Sequence, residues 1–292
     1  MFRGTYTALV TPFREGKIDP PAFEKLIETQ IAAGVNGIVA IGTTGESPTL
    51  SHDEKEQVIR LAVTIANGRC QVLAGTGSYS TSDAIAATQA AEKLGVDGAL
   101  VVSPYYNKPS QEGLFRHFQA IAQATKLPIM LYNIPGRCGV DISAPIVERL
   151  ALDSGNIVAI KEASGSVDRV SDLAARMPRE FTILSGDDGL TLPFLAAGAV
   201  GLVSVASNLL PVEVCALVEA FRSGNLTLAQ QMHRHLSPLF KDLFIEPNPV
   251  PVKTALAWRG QMTDEVRLPL CEMTPANAAR LRETLDAFEA AQ

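Results

Sequence analysis

Lys161 ends a run that leaves little room for a charge. It follows Ile157-Val158-Ala159-Ile160 and precedes Glu162-Ala163-Ser164-Gly165. Four apolar residues in a row mark a strand buried on both faces, as in a parallel sheet. An ammonium at the end of such a strand either sits at a solvated rim or is held in a dry site. In a dry site its pKa falls and it becomes a nucleophilic amine at neutral pH. Of the nine lysines, only Lys161 and Lys253 lie within apolar runs. Lys253 falls in a helical tail, away from the strand ends, and reads as structural. His52, His117, His233 and His235 all fall on helical stretches, and the last two are two residues apart and face different ways. No metal site is expected from them. Asp187-Asp188 reads as organising a loop rather than holding a cation.

Other groups suited to chemistry recur at the ends of apolar runs. Gly42-Thr43-Thr44-Gly45-Glu46-Ser47 can turn backbone amides and two hydroxyls toward a small carboxylate, or can be a glycine turn whose threonines cap a helix. Tyr105-Tyr106-Asn107 and Tyr132-Asn133-Ile134-Pro135-Gly136-Arg137 supply phenols, which pass protons or simply pack with the hydroxyl at the rim. Arg137 in its Pro- and Gly-rich loop is a two-pronged carboxylate ligand or an ordinary surface arginine.

These groups need a scaffold that gathers strand ends. Apolar strand segments begin near Thr5, Gly37, Gln71, Gly98, Pro128, Ile157, Thr182 and Gly201. Amphipathic helical stretches lie between them, at residues 21–33, 52–66, 82–94, 114–124 and 167–177. Ser51 with Glu54 and Ser80 with Asp83 have capping-box spacing, Ser143 is placed to cap the next helix, and Gly34, Gly68 and Gly95 sit where helices stop. Eight such units, roughly 20–35 residues apart, predict an α/β fold: a (β/α)8 TIM barrel over residues 1–224. Residues 225–292 read as a C-terminal helical appendix, broken at Pro238, Pro247, Pro249, Pro251 and Pro275. Catalytic groups belong at the C-terminal ends of barrel strands, where Gly42–Ser47, Tyr105–Asn107, Tyr132–Arg137, Lys161 and Asp187-Asp188 fall.

Composition narrows the function further. A chain of 292 residues, 47% hydrophobic, can bury a large core, and its net charge of −6 argues against nucleic acid or an anionic membrane as partner. No apolar stretch approaches the ~18 residues of a membrane span. Met1-Phe2-Arg3-Gly4-Thr5 runs straight into a strand pattern without a signal-peptide layout. Cys70, Cys138, Cys215 and Cys271 are scattered, without metal or disulfide spacing, so a reducing cytoplasm is expected. Gly75-Thr76-Gly77 lacks the third glycine of a dinucleotide fingerprint, and no P-loop is present.

Taken in order, the motifs around Thr43-Thr44, Tyr106, Tyr132, Arg137, Lys161 and Gly186-Asp187-Asp188 resemble those of the dihydrodipicolinate synthase family of pyruvate Schiff-base lyases. The resemblance continues through Glu246-Pro247-Asn248-Pro249 and covers nearly the whole chain. It implies that Lys161 condenses with pyruvate, that Tyr132 transfers protons beside it, and that Thr43 links Tyr132 to Tyr106 of a neighbouring subunit. Thr44 and nearby amides would hold the pyruvate carboxylate, and Arg137 the carboxylate of L-aspartate 4-semialdehyde. Gly186 and Val203 would line the pocket through their backbones. After the enamine attacks the aldehyde, cyclisation with loss of water would follow. No metal or organic cofactor is implied. Sugar-acid and neuraminate lyases share the lysine and tyrosine but usually lack an arginine at position 137.

The resemblance also implies a homo-oligomer, usually a tetramer built as a dimer of dimers. Lysine-inhibited members carry a regulatory site at positions matching Ser47, His52, Lys55, Tyr79, Asp83 and Tyr105. Lys55 stands where those enzymes often have histidine, and Asp83 replaces a longer glutamate. A fixed cation beside a site for cationic lysine weakens binding, so little or no inhibition by L-lysine is expected.

Overall fold

The computed structural model describes residues 2–291. The chain opens with β1 (Gly4–Ala8) and a hairpin of two-residue strands, β2 (Phe13–Arg14) and β3 (Lys17–Ile18). Strands and helices then alternate: α1 (Pro20–Ala32), β4 (Gly37–Ala40), α2 (His52–Ala66), β5 (Gln71–Gly75), α3 (Thr81–Lys93), β6 (Gly98–Val102) and α4 (Gln111–Gln123). Next come β7 (Ile129–Asn133), the short α5 (Pro135–Cys138), α6 (Ala144–Asp153), β8 (Ile157–Glu162), α7 (Val167–Arg176) and β9 (Thr182–Ser185). The remainder is α8 (Thr191–Ala196), β10 (Gly201–Ser204), α9 (Pro211–Arg222), α10 (Leu226–Asp242), α11 (Val250–Trp258) and α12 (Pro275–Ala290). Eight parallel strands close into a barrel in the order β1-β10-β9-β8-β7-β6-β5-β4, as the eight apolar runs predict.

Residue parity along the strands sorts the core into two layers. Val39, Leu73, Leu100, Met130, Ala159, Leu184 and Val203 point into the barrel with Phe2 and Tyr6, whose rings meet edge to face. Their chain neighbours, such as Ile38, Leu131 and Ile160, pack outward against the helices. Lys161 is two residues beyond Ala159, so the same alternation carries its side chain inward, above the apolar plug.

Local signals explain most boundaries. Ser51 and Glu54 form the full capping box at α2, and the Ser80 hydroxyl accepts from the Asp83 amide at α3. Ser143 does occupy the N-cap of α6 but makes no side-chain capping bond. Helix α4 begins at Gln111, before the expected Leu114, because Ser110 caps it through the Gly113 amide. The hairpin was not foreseen: its strands are too short for periodicity, and its turn rests on positive φ at Glu15 (51°) and Gly16 (77°).

Two expectations for the C-terminal region are corrected. Pro238 does not break its helix but lies inside α10. It is on the exposed face, so the carbonyl it leaves unpaired meets water, while burial of Leu236, Leu239 and Phe240 holds the helix down. Lys253 is not remote from the strand ends. Its Nζ donates to Glu46 Oε1 at 2.7 Å and to the Thr11 carbonyl at 3.0 Å, so α11 is docked against the loops that follow β4 and β1.

Candidate active site

Parallel pairing sets Tyr132 of β7 directly beside Lys161 of β8, and Lys161 beside Leu184 of β9. Lys161 is 5% exposed, and its Nζ lies 4.2 Å from the centroid of the Tyr132 ring. Burial lowers the pKa of the amine to about 8. The Asp188 carboxylate opposes that shift, and the Arg137 guanidinium adds to it. Asp188 is held by the Ser204 hydroxyl at 2.5 Å and by the amides of Val205 and Ala206 at 3.0 Å, so it organises the loops after β9 and β10. Gly186 abuts the lysine: a Cβ there would lie 2.9 Å from Lys161 Cε and 2.8 Å from Ala163 Cβ, so a side chain would displace the amine's stem.

Burial pushes the Tyr132 phenol well above its ordinary pKa, opposed by the Arg137 charge and by a hydrogen bond with the Thr43 hydroxyl. The phenol therefore keeps its proton at neutral pH, beside an amine that can lose one. Arg137 sits on α5, exposed at the mouth, close enough for its charge to act on both groups. The sequence motif thus becomes a cluster of Lys161, Tyr132, Thr43, Arg137 and Gly186, with Val203 on the inner wall at 1% exposure. Tyr106 is not folded into this cluster. It is 92% exposed, with φ at 71°.

Thr44 lies in a tight turn that the amides of Gly45 and Ser47 close onto the Gly42 carbonyl. It is 3% exposed, and its hydroxyl accepts a hydrogen bond from Asn248 Nδ2 at 2.9 Å. Asn248 was passed over because it lies in a segment that reads as helical tail. Its only signal was its place among the motifs that carry the family resemblance.

A polar scaffold behind the site was also missed. Fully buried Glu162 follows Lys161 in β8 and accepts from Arg169 Nε at 2.7 Å and from Asn133 Nδ2 at 3.0 Å. Asn133 in turn donates to Asp141 and accepts from the Ile142 amide, while Arg169 reaches Asp141 and the Ile142 carbonyl. This network ties the strand bearing Lys161 to both ends of the loop that presents Arg137. Its partners come from β7, the loop after it, β8 and α7, so no local spacing reveals it.

Of the positions expected to form a regulatory site, the structure brings Tyr79 and Tyr105 together, edge to face at 5.4 Å. Ser47, His52 and Lys55 follow one another from the turn after β4 into α2, and Asp83 begins α3. Lys55 is half-buried, which lowers its pKa.

A parallel (β/α)8 barrel with a desolvated amine and a protonated phenol at its C-terminal mouth belongs to the class of lyases and aldolases that work through a lysine Schiff base. Residues 1–288 match the Dihydrodipicolinate synthetase family. The 4-hydroxy-tetrahydrodipicolinate synthase of Endomicrobium trichonymphae is 51% identical over 288 residues, 99% of either chain. The structure of the 4-hydroxy-tetrahydrodipicolinate synthase of Methylacidiphilum fumariolicum SolV superposes with a TM-score of 0.98 at 58% identity, covering 99% of this chain and 97% of that one. The chloride-inhibited dihydrodipicolinate synthase of Acinetobacter baumannii, solved with pyruvate, superposes at 0.96 with 41% identity and 99% coverage of both. The chain belongs to the dihydrodipicolinate synthetase family.

Proposed function

We propose that this enzyme condenses pyruvate with L-aspartate 4-semialdehyde through a Schiff base at Lys161, giving 4-hydroxy-tetrahydrodipicolinate in the diaminopimelate and lysine pathway. The observation that carries this reading is the register pair of Tyr132 and Lys161 under the charge of Arg137. The neutral amine attacks the ketone carbon of pyruvate. Tyr132 gives its proton to the departing hydroxyl, so that water leaves and the imine forms. Loss of a methyl proton makes the enamine, whose carbon attacks the aldehyde. The aldehyde partner's own amine then displaces Lys161 and closes the ring, with one water lost overall.

In this reading Thr44 binds the pyruvate carboxylate, Gly186 and Val203 line the pocket, and Arg137 binds the carboxylate of the semialdehyde. Thr43 passes protons from Tyr132 toward Tyr106 of a neighbouring subunit. The 92% exposure of Tyr106 supports a role outside its own subunit, in a dimer of dimers acting in the cytoplasm. The six positions from Ser47 to Tyr105 form a regulatory site that binds L-lysine weakly or not at all.

Arg137→Ala tests the choice of aldehyde. We expect the KM for aspartate semialdehyde to rise about a hundredfold, the loss of a charge-assisted bidentate contact, while imine formation with pyruvate changes only a few-fold. Equal losses in both steps, or better use of sugar aldehydes than of the semialdehyde by the unaltered enzyme, would refute it.

A further inference from the structure

The segment between α10 and α11 reaches into the barrel mouth and grips the loop that carries Thr44. Asn248 is 6% exposed, and its Nδ2 donates to Thr44 Oγ1 at 2.9 Å. Two residues further along the loop, Glu46 accepts from Lys253 Nζ at 2.7 Å and from the Arg267 amide at 3.0 Å. Thr11 Oγ1 also donates to the Gly45 carbonyl at 2.7 Å. The grip at Glu46 and Gly45 fixes where the loop lies. The bond from Asn248 does something more specific, because it lands on the side-chain oxygen itself.

A threonine hydroxyl has one hydrogen to give and two lone pairs to receive with. Once an amide N–H occupies a lone pair, the hydroxyl hydrogen is left to point elsewhere, and a carboxylate needs such a donor. The orientation of the Asn248 amide agrees with this polarity. The observed orientation leaves the acceptor Oδ1 and one amide hydrogen without a protein partner, whereas the reverse orientation would strand both hydrogens.

We propose that Asn248 is a positioning residue for pyruvate: it makes Thr44 a hydrogen-bond donor toward the substrate carboxylate. This rests on the reading of Thr44 as the carboxylate-binding residue. It also gives the C-terminal helical region a part in substrate binding, through a residue that itself need not touch pyruvate.

Steady-state kinetics on the full-length enzyme test it, with the variants Asn248→Ala, Asn248→Asp, Thr44→Val and the double variant Thr44→Val/Asn248→Ala. Asn248→Ala should raise the KM for pyruvate about tenfold, as for one lost hydrogen bond. The kcat and the KM for the semialdehyde should each move less than about twofold. Asn248→Asp, nearly the same shape, should raise the pyruvate KM further. Its carboxylate takes the Thr44 hydrogen and sets a like charge near the substrate's. In the Thr44→Val background, Asn248→Ala should add little.

An unchanged pyruvate KM in Thr44→Val would remove the reading of Thr44, and this proposal with it. If Thr44→Val raises that KM but Asn248→Ala either leaves it alone or multiplies it equally in both backgrounds, the role of Asn248 falls while that of Thr44 stands. Should Asn248→Ala fail to fold, Asn248→Asp carries the test: an unchanged pyruvate KM overturns the proposal, and a raised KM with kcat retained supports it.

Discussion

At the scale of single residues, the site works by placing two ordinary side chains where water cannot reach them. Desolvation disfavours the ammonium of Lys161 and the phenolate of Tyr132 alike, so both groups are driven to their neutral forms. In the proposed mechanism the first is the nucleophile and the second the proton donor. With the pKa of Lys161 at about 8, roughly a tenth of the amine is free at pH 7 and half at pH 8. The sign follows directly: raising the pH through 8 releases the proton and speeds imine formation. Single-turnover rates with pyruvate should rise nearly tenfold per pH unit below about pH 7.5 and level off above about pH 9. A rate still climbing at the same slope through pH 10 would place the amine in water and contradict the dry site. This much was legible in the sequence, since a charge that ends an apolar strand is an anomaly visible without coordinates. The exposed position of Tyr106 was not, because nothing local distinguishes a tyrosine that packs from one that projects.

At the scale of elements, strand register does the positioning, and a buried polar network keeps the register useful. The eight strands could be read because parallel strands covered on both faces give continuous apolar runs. The network of Asn133, Asp141, Glu162 and Arg169 could not, because it joins β7 and the loop after it to β8 and α7 across 29 residues of sequence. Glu162 is fully buried and 2.7 Å from Arg169 Nε. Removing the arginine strands a buried charge, at a cost of about 3 kcal/mol. Urea unfolding should show that loss for Arg169→Met and recover most of it in Glu162→Gln/Arg169→Met, since the double variant leaves no uncompensated charge. A double variant as unstable as the single would mean that the pair is not what holds these elements together.

At the scale of the whole molecule, the helices after the barrel are part of its mouth. The helical character of residues 225–292 was legible, but not the continuity of α10 through Pro238 nor the docking of α11, because prolines and an apolar lysine say nothing about which loop they pack against. Lys253 and Asn248 both reach the turn after β4, the same turn that leads into Ser47, His52 and Lys55. In the proposed regulatory site Lys55 adds a fixed cation. L-Lysine at about 1 mM should therefore leave turnover nearly unchanged, since like charges repel at such a site. Strong inhibition below that concentration would show that the site accepts a cation despite Lys55.

Whether Lys161 is the imine-forming nucleophile is decided by borohydride reduction of the enzyme with pyruvate alone, followed by peptide mass spectrometry. One reduced pyruvate adduct per chain is expected, on Lys161, and none in Lys161→Ala. An adduct on another lysine, or an active enzyme that traps no pyruvate, would contradict it.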